Sequence, residues 1–311
     1  MGYVFALACL VWVFHDVHPR RVLAQLTIRE WAFLVPAVFF DILTYVFQGM
    51  RWSLLLRPTG RLSWFRGTQA IYAGLFTNEV LPLRVGEGVR AFLASRWINA
   101  PFRSVLPSML VERLLDALCL LLAVAWAAIV APLPKLLSTA GDVLGVIVLA
   151  GTAVFVLVVL RSRDADDPEH TSAIGRFVRE MASGLRQIGL SRSIWVAFLF
   201  SAGLLLCQGL ASWFMMRAFG LRLPLTAGFV VLFIIRLGTA IPNAPANVGT
   251  FQFFAVLGLS IYGIDKTTAT AFSIVDFLVL TVPLWTLGLF AIFASGFSLR
   301  SLRTQAALQS S

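Results

Sequence analysis

The sequence predicts an all-α polytopic membrane protein, built as two inverted-topology repeats that each contain a re-entrant (broken) helical hairpin. Three observations carry that expectation. Of 311 residues, 59% are hydrophobic and only 13% charged, about half the charged share of a soluble domain. Apolar runs of about 20 residues, the length that spans a bilayer core, recur along the chain. The chain also matches itself, without gaps, at an offset of 160 residues.

The charge deficit excludes an ordinary globular protein, a disordered chain and a nucleic-acid-binding domain. A formal charge of +10 on so apolar a chain points instead to loops held against anionic lipid headgroups. Cys9, Cys119 and Cys207 each sit inside an apolar run with no CxxC spacing, which argues against disulfides and zinc. His15 and His18 flank Asp16 without a further ligand nearby, so no metal site is expected. Neither a Walker A motif nor a GxGxxG is present, and no cofactor or ATP hydrolysis is implied.

In chain order, residues 1–17 read as a short first membrane helix: they lack a basic n-region and a small-x-small cleavage site. With its loop this segment fills 1–30. The first repeat, 31–160, holds spans at 31–50, 104–131 and 141–160. Between the first two lies an apolar region, 64–97, broken at Asn78–Glu87. A polar stretch, 161–192, opens with Arg161 and Arg163 and the acidic residues Asp164, Asp166, Asp167 and Glu169. Its Ile174, Phe177, Val178, Met181, Leu185 and Ile188 share one helical face, as in an interfacial amphipathic helix bridging two halves or a linker packed on the bundle. The second repeat, 193–299, has spans at 193–216 and 267–296 around an apolar region, 225–262, broken at Ile241–Gly249. A cytoplasmic tail, 300–311, follows. Each half of the two broken regions has about 16–18 residues, short for a crossing, so both read as re-entrant hairpins, with two short crossings each as the alternative. Pro82, Gly86, Pro242, Pro245 and Gly249 are the helix breakers.

Arginine placement sets the topology. Arg51, Arg57, Arg61 and Arg66 crowd one loop; Arg161, Arg163, Arg176, Arg179, Arg186 and Arg192 a second; Arg300 and Arg303 mark the C-terminus. The positive-inside rule places these in the cytoplasm and the 132–140 loop outside, with Arg20 and Arg21 left on the outer face. At the 160-residue offset, Gln48-Gly49 meets Gln208-Gly209, Arg57 meets Arg217, Gly60 meets Gly220, Pro82 meets Pro242 and Asp116 meets Asp276. With the topology, these matches make the halves inverted copies. Transporters place their substrate site between the broken helices of such repeats.

Ionisable residues within spans cost roughly 2.5–3.5 kcal/mol each and face a cavity or a partner. The candidates are Arg84, Glu87 and Arg90 at the first break, with Glu79 before it; Glu112, Arg113 and Asp116 in the following span; and Arg236, Asn243, Asn247 and Asp276 in the second half. Glu87 and Arg90 share a helical face, as do Glu112 and Asp116. Arg84, Arg90, Arg113 and Arg236 form a cationic path suited to phosphate oxygens. Glu112, Arg113 and Asp116 read equally as buried ion pairs pinning a hairpin to a helix, Asp276 equally as a structural partner of Arg236, whereas Arg84 and Arg90, which border the break, favour the functional reading.

At these residues the chain resembles a known family. Pro82-x-Arg84-x-Gly86-Glu87-x-x-Arg90, Glu112-Arg113-x-x-Asp116 and Pro242-x-x-Pro245-x-x-x-Gly249-Thr250-Phe251 resemble the lysylphosphatidylglycerol synthase transmembrane (flippase-like) family, which includes the membrane half of the multiple peptide resistance factor. The resemblance implies a prokaryotic inner-membrane protein that translocates an anionic or modified phospholipid or lipid-linked headgroup, without the synthase domain and not as an enzyme. Ala246 and Gln252 depart from that family, which usually has glycine and glutamate there. The alternatives are a membrane enzyme acting on a phospholipid or polyprenyl phosphate, with Glu87 or Glu112 as general base, and a non-transporting partner of a lipid-synthesis enzyme.

Overall fold

The computed structural model describes residues 2–81, 85–132, 135–161, 173–189, 191–240 and 245–296. Pro82, Arg84, Pro242, Asn243, the acidic residues of 164–169 and the tail at 300–311 lie outside them. Among the described residues every regular element is helical.

At the N-terminus, α1 (Gly2–Phe14) meets α2 (Pro19–Gln25) at a bend of 87°. The helix expected over 1–17 thus ends early. Pro19 starts α2 as a first-turn proline, where a missing N–H costs nothing, and Arg20 and Arg21 ride on α2 rather than in a loop. The first half then runs α3 (Trp31–Leu55), α4 (Trp64–Val80), α5 (Gly86–Ile98) and α6 (Phe102–Val130). After α7 (Lys135–Arg161) and α8 (Ala173–Gly189), the second half runs α9 (Ser193–Phe219), α10 (Leu225–Thr239), a 3-10 turn (Pro245–Asn247), α11 (Thr250–Ser260) and α12 (Lys266–Ser295). Helices α3, α6, α9 and α12 are long and apolar enough to cross a membrane, and the chain is a multi-pass membrane protein.

The helix ends follow local chemistry. Ser63 Oγ accepts from the Arg66 N–H at the start of α4, and Asp265 Oδ1 accepts from the Thr268 N–H, 3.1 Å away, at the start of α12. Asn99 (φ 55°) and Gly220 (φ 95°) close α5 and α9 in the left-handed conformation. One expectation is corrected: Arg51 is no loop residue. The α3 helix continues past residue 50, and Arg51 is fully buried within it. Carboxylates from α6 neutralise its charge, so the helix has no reason to end where the apolar run ends.

The largest helix interface joins α3 to α9. In the first half α3 packs on α4, α4 on α5, α5 on α6 and α3 on α6; in the second α9 packs on α10, α10 on α11, α11 on α12 and α9 on α12. Between halves, α4 packs on α12 and α10 on α6. Gly49 of α3 lies against Thr68 of α4, and Gly209 of α9 against Phe229 of α10. α1 rests on α11 and α2 on α12. α8 packs on α6 and α7; its Leu185 and Ile188 are buried with Leu55, Val111, Leu115 and Ala197, so the C-terminal part of its apolar stripe lies on the bundle. The side chains of Ile174, Phe177 and Val178 lie outside the described ones. Large side chains such as Trp31, Phe39, Trp195, Leu199, Phe290 and Phe293 are exposed, as befits helices that face lipid.

Helices α4 and α5 run antiparallel. At their open end the Arg66 guanidinium lies 5.7 Å from the Trp97 ring centroid, and Thr59 Oγ1 donates to the Ser104 carbonyl. At the break the Gly86 N–H donates to Asn78 Oδ1 at 2.8 Å. A Cβ on Gly86 would collide with the Gly74 carbonyl, so glycine lets the two helices close there. In the second half the turn after α10 is built from left-handed residues, Ala246 (φ 56°), Asn247 (φ 53°) and Gly249 (φ 89°), and it packs against α4.

Candidate functional site

Six charged side chains from α3, α5 and α6 close into a ring of alternating sign beside the first break. Arg51 sits 2.9 Å from Glu112 and 2.5 Å from Asp116. Arg90 Nη2 lies 3.0 Å from both Glu112 and Glu87. Arg113 completes the circuit, 2.7 Å from Glu87 and 3.6 Å from Asp116. Every member thus meets two partners of opposite charge, and the ring is neutral. That arrangement answers the main objection to charge inside a membrane protein: desolvation of a buried ion exceeds what one partner returns, whereas two partners and added hydrogen bonds offset it. Gln48 donates to Glu112 (3.1 Å), and Arg51 to Ser201 of α9 (2.8 Å). The Arg90 guanidinium also lies 4.6 Å from the Trp52 ring centroid.

The ring has an inner and an outer half. The side chains of Arg51 and Glu112 are 0% exposed and Arg90 4%, whereas Glu87, Asp116 and Arg113 are 33%, 26% and 47% exposed. Buried donors at Arg51 Nε and Arg90 Nε lack an acceptor among the described residues. Beside the ring, Gln48, Gly74, Asn78, Glu87, Arg90 and Arg113 line a space of about 10 Å³, room for a single water.

Of the residues singled out in the sequence, the fold brings Glu87, Arg90, Glu112, Arg113 and Asp116 together. Arg51, Gln48 and Ser201 are members that sequence reasoning missed. Glu87 and Arg90, expected on one face, form an i,i+3 ion pair, and Arg113 and Asp116 form a second. Asn247 belongs instead to the left-handed turn before α11. Gly249 there donates its N–H to Gln252 Oε1 at 2.7 Å, so Gln252 works as a helix cap, a task its amide oxygen performs as a carboxylate would.

A second polar cluster lies between the halves and was only partly foreseen. Asp276 of α12 makes no ion pair with Arg236 among the described residues; its electrostatic neighbour is Asp41 of α3. Arg236, at the end of α10, is within electrostatic reach of Asp116, Tyr45 and Asp41. The rings of Tyr45 and Tyr72 lie 5.2 Å apart. Asp41 Oδ2, Asp276 Oδ1, the Tyr72 hydroxyl and Gln208 Oε1 are buried without a hydrogen-bond partner among the described residues. In the sequence, the signal for Asp41 was a lone acid inside an apolar run.

A family model described as the lysylphosphatidylglycerol synthase TM region matches residues 1–288. Over 120 residues the chain is also 27% identical to a protein of Haloferax volcanii named Glycosyltransferase AglD. That match takes in 38% of this chain and 19% of that protein.

Proposed function

Because the chain belongs to the lysylphosphatidylglycerol synthase TM-region family, we propose that it translocates lipid, moving an anionic or modified phospholipid or lipid-linked headgroup between leaflets along the interface of two broken-helix hairpins. One observation carries the reading: a neutral ring of six charges, half of it open, sits at the break of the first hairpin. The charges exposed there are the ones an anionic headgroup can exchange with. A phosphate that displaced Glu87 and Asp116 from Arg113 would replace one set of charge-assisted hydrogen bonds by another. The unpaired Nε of Arg90 adds a spare donor. The space beside the ring holds only a water, so binding opens the ring, and the arrangement described is the closed one. Arg236 and Arg84 extend the cationic path in this proposal.

Inverted repeats and re-entrant hairpins belong to the same proposal. Exchanging the two halves maps the interface of α4 with α12 onto that of α10 with α6, and the interface of α3 with α9 onto itself. A two-fold relation produces this pattern. The turn before α11 packs on α4, which draws the second hairpin's break toward the first hairpin, the placement expected of a substrate site in such transporters.

Leaflet-resolved headgroup accessibility in proteoliposomes tests the reading. Headgroup movement above that of protein-free vesicles is expected, and Arg113→Ala should slow it about tenfold or more, the equivalent of one charge-assisted hydrogen bond. Movement no faster than in empty vesicles, across phosphatidylglycerol, aminoacylated, zwitterionic and polyprenyl-phosphate lipids, would sink it. The similarity to a glycosyltransferase favours one second reading, a membrane enzyme acting on a polyprenyl phosphate or phospholipid. There Glu87 is the base, since Glu112 is wholly buried between two arginines. Turnover that is lost in Glu87→Gln while lipid binding survives would select that reading.

A further inference from the structure

The positions 160 residues after the ring members do not form a ring. Arg51 is answered by Ala211, Glu87 by Asn247, Arg90 by Thr250, Glu112 by Phe272 and Arg113 by Ser273; only Asp116 keeps its charge, as Asp276. The one acid added across the interface is Asp41, which stands 160 residues before Ser201. In the first half, Arg51 bridges Ser201 and Asp116. In the second, an alanine stands where that bridge would be and an aspartate replaces the serine. Two carboxylates are thereby left without the cation between them.

Both are closed off from solvent, Asp41 at 7% and Asp276 at 3% exposure, and each has an oxygen with no partner among the described residues. A third unpartnered group joins them: the Tyr72 hydroxyl, on a side chain 6% exposed and within reach of the charge of Asp41. The groups within electrostatic reach of Asp41 are Arg236 on α10, Tyr45 on α3 and Tyr72 on α4; Glu79 on α4 reaches Tyr45 and is engaged with Trp285. Asp41, Asp276 and Arg236 together carry one net negative charge. Burying an uncompensated charge is resolved by binding a cation or by neutralisation, and two carboxylates in one site hold a proton between them.

We propose that Asp41 and Asp276 form a proton-exchange site that couples lipid movement to a proton gradient. The coupling rests on the lipid-translocation reading; the proton site does not. Loading forms one O–H bond on a carboxylate and breaks one in the donating hydronium, with no electrons transferred and no co-reactant. Arg236 is the link, because it lies in the fields of both Asp116 in the ring and Asp41 in the pair. An anionic headgroup that engages Arg236 withdraws its charge from the pair, and the pair, which already shares one proton, takes up a second in compensation. Departure of the headgroup returns Arg236 and expels that second proton.

Infrared difference spectroscopy on the reconstituted full chain reads the site directly. A carboxylic-acid C=O band is expected at neutral pH, lost in Asp276→Asn and in Asp41→Asn, the second serving where the first does not fold. In proteoliposomes, a pH gradient is expected to change the headgroup-movement rate of the unmodified chain and to leave that of either variant without response. Absence of the band from the folded, unmodified protein overturns the proton site. A gradient response that survives both substitutions overturns the coupling. Lipid that fails to move under any condition, with the band present, overturns the translocation reading and leaves the site standing.

Discussion

Arg51 and Arg113 belong to one ring but differ in what surrounds them, and the difference separates structure from function. Arg51 is wholly enclosed, so Arg51→Ala leaves Glu112 and Asp116 each short of a partner, Glu112 in a site closed to solvent. Breaking a buried pair in this way costs about 3–5 kcal/mol. Arg113 is 47% exposed, and its ion pairs are worth at most about 1 kcal/mol to stability. Denaturation of the detergent-solubilised chain should therefore show a large loss for Arg51→Ala and a small one for Arg113→Ala, whereas headgroup movement should fall in both. Equal losses of stability would mean that the open half of the ring is as structural as the closed half. The members on α5 and α6 were legible in the sequence, because i,i+3 and i,i+4 spacing puts Glu87 with Arg90 and Glu112 with Asp116. Arg51 was not, because four arginines between 51 and 66 read as a loop once the apolar run stops at Met50. The usable signal was helical: Gln48, Arg51 and Trp52 stand three and four apart on one face, and all three reach the ring.

Among the elements, helix limits were the most legible feature. The span expected at 31–50 is α3, 104–131 is α6, 193–216 is α9 and 267–296 is α12, each shifted by a few residues where caps rather than hydropathy end the helix. The N-terminal region was less so: an apolar count does not register a bend, and α1 and α2 part at 87°. The break before α11 shows how a departure from the family pattern is absorbed. Ala246 adopts a left-handed conformation that glycine takes without strain, at a cost of roughly 1–2 kcal/mol. Asp265, the cap of α12, supplies a test in pH. Hydrogen bonds from Thr268, its side chain first, hold the Asp265 carboxyl below the usual carboxylate range. The cap therefore contributes fully above the unfolded-chain value, roughly 3.9, and its contribution is lost as the pH falls through the lower folded value. Asp265→Ala should lower stability by about 0.5–1 kcal/mol at neutral pH, the lower end of capping effects because the group is exposed. Thermal midpoints of the two chains should then converge toward strongly acidic pH. A gap unchanged by acid would show that the carboxylate charge is not what caps α12.

For the whole molecule, inverted repeats make a statement about sidedness. The turns after α3 and after α9 occupy matching places in the two halves, so under the proposed two-fold relation they face opposite sides of the membrane. In a chain with Cys9, Cys119 and Cys207 replaced, Thr59→Cys and Asn99→Cys should both react with an impermeant thiol reagent from the cytoplasmic side. Arg222→Cys and Gly263→Cys should react from the other. Labelling of residues 59 and 222 from one side would overturn the inversion. The proposed repeat rests on a handful of coincident residues, among them Gly49 and Gly209, which lie at the α3–α4 and α9–α10 contacts. Five of the six ring charges have no counterpart 160 residues on, a difference that carries meaning only once the fold shows that the six form one ring.

The neutrality of the ring also bears on membrane voltage. Moving one elementary charge across the membrane field is worth roughly 2.3 kcal/mol per 100 mV. Three positive and three negative side chains bound together in one ring carry no net gating charge, so the ring can shift with α3, α5 and α6 as a unit at no electrical cost. A singly anionic headgroup accompanied by one proton is likewise neutral in transit. A cycle built on these two features responds to the pH on either side of the membrane and is blind to the potential across it.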